Sequence, residues 1–147
     1  MRLFKRNAGP LVSNSKRKAR KLDVYVIDRG SNPEGTALLD RYASSLEELS
    51  ADHRLFILSK EQSAEVIEQN AQLAGSDPVI VLLNSDARIE QRQNYGVQIR
   101  LGGIPEEQAE GILCGVLKQV SDADKNSDAI IAETIAQFGA QPMISAN

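Results

Sequence analysis

From Leu22 to Val120 short apolar runs alternate with segments whose apolar residues recur every three or four positions. Val24-Tyr25-Val26-Ile27 is β-branched and aromatic between two aspartates, which predicts a buried strand. Asn32, Pro33 and Glu34 then have the chemistry of a helix start: a cap, a first-turn proline and an acid at the positive end of the dipole. Leu38, Leu39, Tyr42, Leu46 and Leu49 continue at helical spacing, predicting one long amphipathic helix. Leu55-Phe56-Ile57-Leu58 is the second strand. Ser59 with Gln62 forms a capping box that opens a second helix, with Ala64, Ile67, Ala71 and Leu73 or Ala74 inward and Gly75 as its stop.

Pro78 leads into Val79-Ile80-Val81-Leu82-Leu83, the most hydrophobic run and the expected central strand. Turn residues Asn84 to Ala87 and a polar stretch follow. Val97 and Ile99 then alternate with Gln98 and Arg100, predicting an antiparallel hairpin partner for the third strand. Gly102-Gly103 turns the chain and Pro105 opens a third helix with the stripe Ala109, Ile112, Leu113, Val116, Leu117 and Val120. Beyond a polar linker, a last helix at about 128–138 presents Ile131, Ile135 and Phe138 on one face, ends at Gly139 and leaves a short tail. The order is β-α-β-α-β-β-α plus an appended helix. Right-handed crossovers are expected to set the first three strands parallel.

That order, with a proline at the mouth of the third strand, a hairpin after it and Gly102-Gly103 before the last core helix, resembles the thioredoxin-like fold. The resemblance covers roughly 22–120. It implies an α/β domain of three layers, with 1–21 as a basic arm and 121–147 as linker, C-terminal helix and tail. A flavodoxin-like arrangement is the alternative. The redox chemistry of that superfamily needs a Cys-x-x-Cys at the first strand–helix turn, where a helix N-terminus lowers the thiol pKa. Here the turn reads Gly30-Ser31-Asn32-Pro33-Glu34-Gly35, so the resemblance implies a redox-silent member.

Charge adds what periodicity cannot show. Residues 1–21 carry eight basic side chains (Arg2, Lys5, Arg6, Lys16, Arg17, Lys18, Arg20, Lys21) and no acid, whereas the remainder holds 9 basic and 20 acidic. The result is a basic arm on an acidic body, the asymmetry of a tail that meets nucleic acid, anionic lipid or an acidic protein surface. The arm has too few apolar residues to fold alone and is expected to stay flexible until a partner orders it. No apolar run is long enough for a membrane span or a secretory signal, and a single cysteine excludes an internal disulfide; a cytoplasmic setting is expected.

Candidate chemistry is sparse. Gly30-x-x-x-x-Gly35-Thr36 is spaced like a phosphate loop but lacks its lysine, and Glu34 puts a negative charge where phosphate would sit. Cys114, off the apolar stripe of the third helix and without a neighbouring histidine, reads as an inert packing cysteine; His53 reads as a surface loop residue. Asp23, Asp28 and Asp40 read as solvated. No catalytic, cofactor or metal constellation is visible. Gly111 and Gly115 form a small-residue face which, with Ile131, Ile135 and Phe138, marks where another helix packs, in the same chain or in a partner.

The expected function is a non-catalytic interaction module within a larger protein or nucleoprotein assembly. Its basic arm would dock on an acidic neighbour, and a protein partner or homo-oligomer is expected. The alternative is sequence-nonspecific nucleic-acid binding through the arm, since Lys16 to Lys21 place five cations in six positions. A nucleotide-binding enzyme at the 29–36 turn stands third.

Overall fold

The computed structural model describes residues 22–84 and 94–144. The arm residues Arg2, Lys5, Arg6, Lys16, Arg17, Lys18, Arg20 and Lys21 lie outside the described residues, as does the polar stretch after Asn84. The elements are β1 (Asp23–Ile27), α1 (Pro33–Arg41), α2 (Ala43–Glu48), β2 (Arg54–Ile57), α3 (Lys60–Gln69), β3 (Val79–Leu83), β4 (Asn94–Arg100), α4 (Glu106–Val120), α5 (Ser127–Phe138) and β5 (Gln141–Ile144). The strands form one mixed sheet in the order β2-β1-β3-β4-β5.

The period-two pattern of the strands gives each sheet face its own cluster. Leu22, Val24, Val26, Leu55, Ile80, Leu82, Val97 and Ile99 face a layer built from α1, α2, α4 and α5. Ile27, Phe56, Val79, Val81 and Met143 face Val66 and Ile67 of α3 and the Leu73 turn. Val79–Val81 are fully buried, as the most hydrophobic run should be.

Among the described strands only β1 and β2 pair in parallel; β3 runs antiparallel to β1, with Asp23 opposite Leu83 and Ile27 opposite Val79. This corrects the expectation of three parallel strands. A parallel crossover must carry the chain back to the far end of the sheet. Here α3 begins, and the segment after it returns, at the same end of the sheet. Ser63 Oγ accepts from Asp28 N (3.0 Å), and Asp77 Oδ2 accepts from Arg29 N (3.0 Å). β3 therefore starts beside the end of β1 and runs the other way. The β3–β4 hairpin is antiparallel as expected.

The first long helix is broken. Tyr42 leaves helical geometry (φ −108°, ψ 19°), yet Leu38 and Leu39 before it and Leu46 and Leu49 after it share one core, so the apolar spacing gave no sign of the break. The second helix keeps its capping box but ends at Gln69; Ala71 and Ala74, expected inward, are exposed, and Leu73 is buried from a 3₁₀ turn. The tail is not a tail at first: Gln141–Ile144 pairs antiparallel with β4. Pro142 breaks the strand pattern in sequence but is tolerated because β5 is an edge strand.

Two single-residue expectations also change. His53 is only 4% exposed, and its Nε2 lies 2.9 Å from the carbonyl of Val120, the last residue of α4. Terminal helix carbonyls lack intrahelical donors, and the imidazole supplies one. Cys114 is exposed rather than packed, as its position about 130° from the stripe centre requires.

Candidate functional site

The turn between β1 and α1 is the candidate site, and carboxylates hold it. Asp28 Oδ1 accepts from Gly30 N (2.9 Å) and Oδ2 from the Thr36 hydroxyl (2.8 Å). Asp77 Oδ2 accepts from Arg29 N (3.0 Å) and Ser31 N (3.2 Å). The N–H groups of residues 29 to 31, which a phosphate would need, are thus spent on the protein's own carboxylates. Gly30 supplies the left-handed backbone the turn needs (φ +87°).

Asn32 stands at the N-cap of α1, but its side chain does not cap it. It reaches across to donate to the carbonyls of Asp77 (2.6 Å) and Gly75 (3.2 Å), tying the turn to the segment that enters β3. The Asp77–Pro78 peptide is cis. Pro78 packs on Gly35 and the Asp77 carbonyl on Gly102, both so closely that a Cβ at either glycine would overlap its neighbour. Leu101 N and Gly102 N donate to Pro78 O (2.8 Å) and Ser76 O (2.9 Å), which seats the Gly102-Gly103 turn on the same spot. Between the turns lies a cavity of about 170 Å³ walled by Asn32, Gly35, Leu38, Gly102, Ile104 and Ala109.

The hydroxyls and cations here serve the turn itself. Ser31 Oγ accepts from Arg29 Nε (3.0 Å), and Thr36 is directed at Asp28. Asp77 is completely buried, and its Oδ1 has no partner among the described residues. Among the described residues no group of three or more His, Cys, Asp or Glu side chains is placed to hold a metal ion.

The second candidate region, on α4 and α5, is used within the chain. The Phe138 ring lies on Gly115, whereas Gly111 faces open space. Ile131 is buried in the same core as α4, and Ile135 and Phe138 pack against it. Of the aspartates near β1, Asp23 is buried beside Arg54 (3.9 Å), Asp28 organises the turn and Asp40 is exposed. On the outer face of α4, Tyr42 Oη donates to Glu110 (2.6 Å), and Cys114 and Glu110 hold the tyrosine hydroxyl well above its usual range.

Sequence reasoning missed Asp77 and the roles of Ser63 and Asn32. An aspartate before a proline carries only a turn signal, and nothing local shows that its carboxylate crosses to a turn 46 residues away.

Among the described residues no helix is long and apolar enough to cross a membrane. Compared with known proteins, the chain matches no family model, no curated protein and no solved structure.

Proposed function

We propose that the protein is a non-catalytic, redox-silent thioredoxin-like interaction module of a larger protein or nucleoprotein assembly, whose basic arm docks on an acidic neighbour. The observation that carries this reading is the charge split: eight basic and no acidic residues in 1–21, against 9 basic and 20 acidic in the rest. The element order, with Pro78 opening β3 and Gly102-Gly103 before α4, supports the thioredoxin-like reading. The carboxylate-filled first turn supports the non-catalytic one, because the position where such folds place reactive thiols holds hydrogen bonds to Asp28 and Asp77 instead.

Nucleic-acid binding through the arm is the second reading, favoured by the five cations within 16–21. The two separate by salt dependence. If those five side chains each neutralise a phosphate, the logarithm of the affinity for duplex falls with the logarithm of salt at a slope of about −4.5. The test compares the full chain with a variant whose Lys16, Arg17, Lys18, Arg20 and Lys21 are all glutamine, each purified with and without nuclease. A protein partner retained through nuclease treatment and lost in the variant supports the assembly reading. Nuclease-sensitive material lost in the variant, with the steep slope, replaces it with the nucleic-acid reading.

A further inference from the structure

We propose that the acidic neighbour is a second copy of this chain, which seats a basic side chain of its 16–21 run in the cavity between the first turns of α1 and α4. The inference rests on the assembly reading and names the partner. The cavity, about 170 Å³, is closed below by Leu38, Leu101 and Ala109, with Ile104 beside them. Glu34 stands on its α1 side and Glu106 on its α4 side, and both are exposed.

The charge around it favours a cation. Among the described residues Glu34 and Glu107 have no ion pair, and Arg41 serves both Glu106 (3.6 Å) and Glu110 (3.8 Å). Four carboxylates thus share one guanidinium. Both helices begin here without a side-chain cap, and each N-terminus adds roughly half a positive charge. The balance remains negative by about two charges, which repels an anion. A lysine or arginine can lay its apolar stem against such walls and keep its charge at the rim. At about 30 Å³ per water the space equals five or six waters, which admits one such side chain and not a helix.

The sheet decides between a chain's own arm and that of another copy. Leu22 precedes Asp23, which lies opposite Leu83, whereas the cavity lies at the other end of β1, where Ile27 faces Val79 and Leu101 N donates to Pro78 O. Leu22 to Ile27 spans about 17 Å. Lys18, Arg20 and Lys21, at most four residues before Leu22, reach no more than about 14 Å. Most of the run therefore falls short of its own cavity, and a copy lying alongside in the opposite direction brings the two together.

The test is sedimentation of the nuclease-treated full chain over a range of concentrations, at low and high salt, with two variants. One has glutamine for all five cations of 16–21; the other has Glu34→Lys and Glu106→Lys. The expected result is self-association of the full chain that weakens at high salt and is about tenfold or more weaker in either variant. Mixing the variants forms a one-to-one complex, since one supplies the acidic rim and the other the arm. Amide shifts on the labelled glutamine variant in that mixture fall at 32–38 and 102–109. Self-association unchanged by the glutamate reversals, no complex in the mixture, or shifts elsewhere would overturn the inference. A foreign protein partner without self-association would overturn it and leave the assembly reading standing, whereas a full chain that is monomeric and without partner overturns both. Should the double reversal fail to fold, Glu34→Gln with Glu106→Gln removes the charge at nearly constant shape and takes its place.

Discussion

The carboxylate of Asp77 accepts the backbone N–H of Arg29 at 3.0 Å across 48 residues of sequence, and by this bond and its companion to Ser31 it shapes the turn after β1. The turn is therefore not a free loop awaiting a ligand. It is a braced corner, with Asp28 holding it from within and Asp77 from the adjoining segment.

Asp77→Ala removes the acceptor of two N–H groups, one of them on a half-buried residue. Hydrogen bonds to charged groups contribute about 1.5–3 kcal/mol, so the variant should lose roughly 2–3 kcal/mol. A urea melt with unchanged slope and a lowered midpoint checks this. Asp77→Asn, which keeps one acceptor oxygen, should lose less. Equal stability of wild type and Asp77→Ala would show that the turn holds itself.

Gly111 and Gly115 lie one turn apart on α4, and opposite effects are expected from the same substitution. A methyl at Gly111 meets nothing, so Gly111→Ala should gain about 0.5–1 kcal/mol from helix propensity. A methyl at Gly115 runs into the Phe138 ring, so Gly115→Ala should lose about 1–3 kcal/mol through overpacking, despite the same propensity gain. Pairing Gly115→Ala with Phe138→Leu should recover part of that loss. If both alanines stabilise, α5 does not pack on α4 as described.

His53→Leu keeps the bulk but leaves the Val120 carbonyl without its imidazole donor. The cost should be about 1–3 kcal/mol, the range for an unsatisfied buried acceptor. Amide exchange should quicken first in the last turn of α4. Exchange that rises evenly over the whole chain would point to a general packing defect instead.

Tyr25 stacks on Phe56 with ring centroids 4.5 Å apart, and its hydroxyl is held above the ordinary tyrosine value, first by burial and then by Asp23, with Arg54 opposing. The unfolded chain therefore gives up this proton before the folded one. Stability from this source is intact below about pH 10 and declines as pH rises through the raised folded value. Tyr25→Phe should flatten the decline in urea midpoint between about pH 9 and pH 11. An unchanged slope would assign the alkaline loss to other groups, Tyr42 among them.

The parts of the fold readable in sequence were those written in local periodicity and capping. The α4 stripe from Ala109 to Val120, the Ser59–Gln62 capping box, the stop of α5 at Gly139 and the β3–β4 hairpin all follow from residues within a few positions of each other. What stayed hidden depends on partners far along the chain. The direction of β3 follows from contacts of Asp28 and Arg29 with Ser63 and Asp77. The burial of His53 follows from a carbonyl 67 residues away, and β5 becomes a strand only because β4 offers it an edge. At the candidate site the absence of thiols was plain in the sequence, but the carboxylates that fill the turn were not.

Native mass decides whether this protein works as part of an assembly through its basic arm. The full chain would be purified at moderate salt after nuclease treatment, and its mass compared with that of the variant in which the five cations of 16–21 are glutamine. The unmodified chain is expected to carry a defined protein partner or a fixed oligomeric mass, and the variant to shed it. A clean monomer for both chains would contradict the proposed assembly role.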